Sequence, residues 1–289
     1  MSTQGPGAAL TFQFDREQLG AVAEAKREAY AAADPYPHTV MDDFLPEQVL
    51  DDVLAEFPDP KGADWFKFDS PTERKLGSND DSIMGPATRR LFAELHSSAF
   101  VGFLERLTGI EGLIPDPHLE GGGLHQIEPG GHLKVHADFN RHPRTDLERR
   151  LNVLIYLNRD WRDEYGGAFE LWDEEMSAPV RKVMPQFNRC VVFSTTSTSY
   201  HGHPEPLTCP EDRTRKSLAL FYYNKDRPAE ERSDKHSTLF KARPGEELPD
   251  PAPRRPPAER VKRVVRPFVP LILLEALHRW NTRRGRGDA

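Results

Sequence analysis

Cysteine is scarce here. Cys190 and Cys209 are the only two in 289 residues, so a disulfide framework is not what holds the chain together. That scarcity fits a reducing compartment, and we expect a cytoplasmic protein. Positive charge is in deficit as well. The formal net charge is −7, and without an overall basic balance no nucleic-acid partner is expected. No uninterrupted apolar run approaches the ~20 residues that span a bilayer. Residues Met1 to Phe12 lack a basic start followed by a long apolar segment, so they do not read as a secretory signal. With 37% hydrophobic and 29% charged residues, the chain can bury a real core, in one large domain or two small ones.

The first third reads as helices with short extended pieces. Good helix formers, with Leu19, Val22, Ala23 and Tyr30 at helical spacing, predict a helix from Arg16 to about Ala33. Pro35 and Pro37 end it. A short strand at His38-Thr39-Val40 then precedes a helix from Pro46 to about Phe57. Pro58 to Asp81 lacks a clear period and holds Trp65, Phe66 and Phe68, which suit a short strand on the core or a lid over a site. Leu91, Leu95, Phe103 and Leu107 predict one amphipathic helix from Pro86 to about Thr108 that packs under a sheet.

The chemistry begins near Gly130. His136 and Asp138 lie two apart in a stretch that reads as a strand, so imidazole and carboxylate project from one face. A third ligand is available in Ser199-Tyr200-His201-Gly202-His203. Two His and one carboxylate on one face of an octahedral ion form the facial triad of non-haem Fe(II) oxygenases. Strand parity does not separate His201 from His203. His132 would sit ~13 Å from His136 along the strand and cannot share an ion with it. His125 reads as a pocket or core histidine, and His142 as a solvated loop residue in a charged stretch ending at Arg149.

Four strand-like runs complete the pattern: Leu151–Asn158, Gly166–Trp172, Arg189–Ser194 and Arg215–Tyr223. Together with the His-x-Asp pair and the later His, they resemble the 2-oxoglutarate- and Fe(II)-dependent oxygenases, in their prolyl-4-hydroxylase-like branch. The resemblance runs from about Gly121 to Tyr223. It implies a mainly β fold, a double-stranded β-helix (jelly roll) supported by N-terminal helices and followed by a C-terminal helical extension. It favours His201 as distal ligand, with His203 the alternative, which makes the iron ligands His136, Asp138 and His201. No catalytic residue beyond these ligands is implied. Arg215 matches the family's basic position for the far carboxylate of 2-oxoglutarate, with Tyr156 assisting. A guanidinium fork fits a carboxylate where a lysine offers only a point charge. Arg213 and Lys216 are the fallbacks, Lys216 facing the opposite side.

The same resemblance implies hydroxylation of an unactivated C–H, with succinate and CO2 as coproducts. Fe(II), 2-oxoglutarate and O2 would be required, with ascorbate as a reductant. The substrate class implied is a prolyl residue of a peptide or protein, or a small molecule. Because Asp138 is a carboxylate and not Ala or Gly, hydroxylation is expected over halogenation. The rival is a cupin-like barrel that binds metal without turning over oxygen, as a sensor or an inactive pseudo-enzyme.

Three regions are expected: a lead-in over 1–118, the oxygenase core over 119–226, and a Pro-rich linker with a basic amphipathic segment over 227–289. From Arg254 onward ten Lys and Arg stand against three Asp and Glu. Interspersed with Val261, Val264, Phe268 and Leu271, this surplus suits a C-terminal helix docked on the acidic body or a twin subunit, or else attachment to an acidic partner or an anionic membrane face.

Overall fold

The structure, a computed structural model, describes residues 13–248. The basic segment 254–289, where the helical extension is expected, lies outside the described residues. The first half alternates helices and short strands: α1 (Arg16–Ala31), β1 (His38–Met41), α2 (Glu47–Ala55), β2 (Phe66–Asp69), β3 (Glu73–Ser78), α3 (Pro86–Leu95) and α4 (Ser98–Thr108). Strands then dominate: β4 (Ile114–Pro115), β5 (Gly123–Ile127), β6 (His132–Ala137), β7 (Glu148–Tyr156), β8 (Phe169–Trp172) and β9 (Pro179–Val183). They continue with β10 (Cys190–Ser194), β11 (His201–His203), β12 (Arg215–Asn224) and β13 (Leu239–Phe240).

All the pairings between these strands are antiparallel. One run of neighbours is β1-β10-β7-β12-β5, the other is β6-β11-β8-β9, and β3 joins them by pairing with both β5 and β6. The result is a mainly β double-stranded β-helix, the jelly roll implied by the sequence.

Period-2 alternation decides which side chains face inward. Leu151, Val153 and Ile155 of β7, Cys190 and Val192 of β10, and Leu218, Leu220 and Tyr222 of β12 pack against the helices. The opposite parity (Asn152, Leu154 and Tyr156 of β7, Phe193 of β10, Ser217 and Ala219 of β12) lines a cavity inside the barrel. The helices cover the outer face with Phe100, Phe103, Leu104 and Leu107 of α4, all buried. Each such side chain contributes roughly 1.5–3 kcal/mol, so the helical layer stabilises the wall that carries the cavity residues.

Two local details depart from the sequence reading. The expected single helix over 86–108 is broken, because His96 closes α3 and Ser97 caps α4 by accepting from the Phe100 amide. The stretch after Asn224, read as a linker, lies along the barrel as far as the structure describes it. Leu239 and Phe240 pair with Ala137 and His136, and the Lys241 amide donates to Val135 O at 2.9 Å. Among the described residues no helix is long and apolar enough to cross a membrane.

This C-terminal strap is clasped by charge. Lys134 Nζ lies 2.5 Å from Glu246 Oε1, and Arg243 Nε lies 3.0 Å from Glu246 Oε2. Partial burial opposes the charge on Glu246, but hydrogen bonds from Arg243 and Lys134 outweigh it and push the carboxyl down from 4.5 to about 2. A depressed acid stabilises above its unfolded pKa, and that stabilisation is lost as pH falls through the folded value. The clasp therefore holds fully above about pH 4.5 and releases as pH drops towards 2. Glu246→Gln should loosen it already at neutral pH, seen as faster hydrogen exchange at the Lys241 amide. Unchanged exchange would show that strand pairing alone holds the strap.

Candidate metal centre

β6 and β11 lie side by side, with His136 opposite His201. Gly202 permits that approach, since a Cβ there would meet Leu133 O at 2.8 Å and Lys134 O at 3.0 Å. The two imidazole rings stand 4.5 Å apart between centroids. Asp138, just beyond the end of β6, completes the group: ligand atoms of His136, Asp138 and His201 all lie within 4.8 Å of one another.

The tautomers follow from the backbone. Nδ1 of His136 lies 2.9 Å from Lys134 O, and Nδ1 of His201 lies 2.9 Å from Ser199 O. A carbonyl only accepts, so each Nδ1 carries a proton, and in the neutral tautomer Nε2 is the nitrogen whose lone pair is left for a metal. Those Nε2 atoms sit 3.5 and 3.4 Å from Asp138 Oδ1 and Oδ2. Lone pairs facing carboxylate oxygens repel unless a cation lies between them. The donor set therefore fits a divalent metal, with outer hydrogen bonds that fix each ligand ring.

Asp138 is held from behind. Arg149 Nη2 donates to its Oδ2 at 2.9 Å, and Asn152 Nδ2 donates to the same oxygen at 2.7 Å. Arg149 is almost fully buried, with its guanidinium over the Phe221 and Phe139 rings. Burial opposes ionisation of Asp138, yet the Arg149 guanidinium beside it holds its carboxyl well below the usual range. Burial, followed by His201, lowers the His136 pKa, which keeps that ring neutral and available as a ligand.

The triad opens onto a cavity of about 210 Å³. Arg215, at the first position of β12, lines this cavity with 5% of its surface exposed. Its Nε donates to Gly167 O at 2.9 Å and its Nη2 to Tyr156 Oη at 3.4 Å. Gly167 has φ +73°, and a Cβ there would press on Leu207 and Arg215, so glycine makes the room that the guanidinium occupies. Among the described residues no carboxylate pairs with Arg215, and burial pulls its pKa down. A buried cation without an anion is costly. The arrangement suits an anionic ligand reaching in from the metal side.

Residues 122–223 match the family model described as the 2OG-Fe(II) oxygenase superfamily. Over that stretch the chain is similar to that superfamily. Solved structures of similar fold include a Pseudomonas putida prolyl-4-hydroxylase, 18% identical, with TM-score 0.50 over 72% of this chain and 100% of that one. A Trichoplax adhaerens prolyl hydroxylase in complex with a hypoxia inducible factor peptide fragment is 16% identical, with TM-score 0.52 over 72% and 91%. A Phytophthora capsici prolyl 4-hydroxylase is 21% identical, with TM-score 0.50 over 76% and 69%. These likenesses are of fold. No curated protein matches the chain in sequence.

The barrel places the other candidates clearly. Arg213 lies outside the cavity and donates to Arg159 O, and Lys216 turns from the cavity to Thr214. His125 lines the cavity, where enclosure pushes its pKa down to about 3. His132 sits by Pro71 O. His142 is not solvated as expected: it is buried against Asp116 and the Tyr223 ring, because the loop folds inward onto β12. Three contributors went unread in the sequence: Arg149, Asn152 and the strap residue Phe240, whose ring lies 5.6 Å from that of His136. Of the aromatic cluster, Trp65 is buried, whereas Phe68 is 40% exposed and lines the cavity.

Proposed function

We propose that this protein is an Fe(II)- and 2-oxoglutarate-dependent dioxygenase that hydroxylates an unactivated C–H. The observation that carries the proposal is one cavity holding two kinds of unmet demand: a convergent His136/Asp138/His201 donor set and the buried Arg215, which pairs with no carboxylate among the described residues. In this reading His136, Asp138 and His201 hold the iron. Arg215 takes the far carboxylate of 2-oxoglutarate, with Tyr156 beside it. When bound, iron and cosubstrate supply the oxidising chemistry using O2, and ascorbate is the proposed reductant. The chain's own residues position both and limit water. Arg149 and Asn152 orient Asp138, and Phe240 and Phe193 shield the imidazoles.

Arg149→Met should weaken Fe(II) binding roughly 10–100-fold, the usual cost of losing an outer partner of a ligand. Isothermal titration under anaerobic conditions reads this directly. An unchanged affinity would mean that Asn152 alone suffices to hold Asp138.

The core doing this work is residues 119–226, supported by 1–118, with 227–248 adding a wall. The substrate class we favour is a prolyl residue of a peptide or protein, supported by the fold likeness to prolyl hydroxylases, with a small molecule as the alternative. Two free, buried cysteines support a cytoplasmic location. The charge surplus of 254–289 supports contact with an acidic partner or an anionic membrane face. Mass spectrometry of proline-containing peptides and cell extract incubated with iron-loaded enzyme and 2-oxoglutarate tests the reaction. A product heavier by one oxygen atom on a prolyl residue is expected. Modification confined to small molecules would move the substrate class, and 2-oxoglutarate-dependent gain of oxygen nowhere would contradict the activity.

A further inference from the structure

His203 is buried to 4% exposure and lines the same cavity as Arg215. Neither of its ring nitrogens has a hydrogen-bond partner among the described residues. The two triad histidines differ in this respect: His136 and His201 each anchor Nδ1 on a backbone carbonyl. A buried imidazole with two orphaned nitrogens is an unfavourable arrangement unless something entering the cavity satisfies it. Catalytic and binding hydrogen bonds are often incomplete without the ligand and tighten when it arrives.

Its place on the strand says which ligand atom is involved. His203 follows His201 by two residues on β11, a rise of roughly 6–7 Å, about the length of a five-carbon 2-oxo diacid. A cosubstrate whose 2-oxo end reaches the triad would bring its other carboxylate to the level of His203. Arg215 approaches that region from β12, across the cavity. Arg215 uses Nε and Nη2 on Gly167 and Tyr156, and the planar fork cannot surround a carboxylate that has two oxygens and about four acceptor positions. Even with Tyr156 beside it, acceptor positions out of the guanidinium plane stay open to a further donor.

We propose that His203 is a cosubstrate-binding residue, donating a ring N–H to the distal carboxylate of the 2-oxo acid beside Arg215. This rests on the dioxygenase reading above. It goes beyond that reading because it gives a role to a histidine that the metal does not need, and it makes selection for a second carboxylate a shared task.

The test compares two ligands on Fe(II)-loaded protein without oxygen: 2-oxoglutarate, and 2-oxobutyrate, which can chelate the metal but lacks the far carboxylate. Affinity is read from the charge-transfer absorption on titration, and Fe(II) affinity is measured separately. His203→Val should weaken 2-oxoglutarate binding about 10- to 100-fold, the loss of one charge-assisted hydrogen bond. It should leave 2-oxobutyrate and Fe(II) affinities unchanged. His203→Gln, which keeps a donor of similar reach, should recover part of the loss. Equal weakening of both ligands would overturn the proposal, since that pattern belongs to a collapsed pocket or a lost metal contact. Wild-type affinity in His203→Val would also overturn it while leaving the dioxygenase reading standing. If the wild-type protein itself fails to bind 2-oxoglutarate, both fall together.

Discussion

Asp138→Ala should lose Fe(II) binding by more than the roughly 10–100-fold that an outer partner costs, because it deletes a ligand outright. It should also destabilise the fold. Arg149 is almost fully buried against Asp138, and removing one member of a buried ion pair leaves the other uncompensated, at about 3–5 kcal/mol. His201→Ala separates these effects, since it removes a ligand without unpairing Arg149. We expect both variants to lose conversion of 2-oxoglutarate to succinate, and only Asp138→Ala to show a marked fall in denaturation midpoint. Metal titration and urea unfolding, run in parallel, check this. Normal Fe(II) binding by either variant would remove that residue from the ligand set, and equal stability of the two would show that Asn152 alone compensates Arg149.

The second large effect concerns the cosubstrate. Charge-assisted hydrogen bonds are worth roughly 1.5–3 kcal/mol each, and each ~1.4 kcal/mol is tenfold in affinity. Arg215→Ala should therefore weaken 2-oxoglutarate binding about ten- to several-hundred-fold, with Fe(II) affinity nearly unchanged. Arg215→Lys should recover part of the loss through charge without the fork. Arg213→Ala is the control, since Arg213 sits outside the cavity on Arg159 O. Binding by Arg215→Ala at wild-type strength would remove the anion pocket from the account.

Much of this site was legible in the sequence because strands alternate. His136 and Asp138 at spacing two, and Arg215 opening a strand whose alternate residues are apolar, are local facts that period 2 converts into shared faces. Arg149 was not legible for a geometric reason. Asn152, Leu154 and Tyr156 face the cavity, so strict parity would turn Arg149 away. The pairing of β7 with β12 slips between Tyr222 and Tyr223, where Tyr222 faces Leu151 but Tyr223 faces Arg149. That bulge re-aims Arg149 at Asp138 and leaves Arg150 to bind Asp226 O. The strap was hidden differently. Leu239-Phe240 is too short and too charged in its flanks to read as a strand, and only the free edge of β6 beside His136 gives it a partner. Parity left the choice between His201 and His203 open, since residues i and i+2 share a face. It turns on register instead: His201 pairs opposite His136, while His203 lies opposite Leu133, further from Asp138.

In the proposed enzyme one cavity joins an iron site to a 2-oxo-diacid site. Stepwise anaerobic titration of wild-type protein, first with Fe(II) and then with 2-oxoglutarate, tests it most directly. We expect one Fe(II) per chain, followed by saturable 2-oxoglutarate binding with a charge-transfer band that is absent without iron. Stoichiometric metal binding with no saturable 2-oxoglutarate binding would contradict the account and leave a metal-binding barrel of the sensor kind.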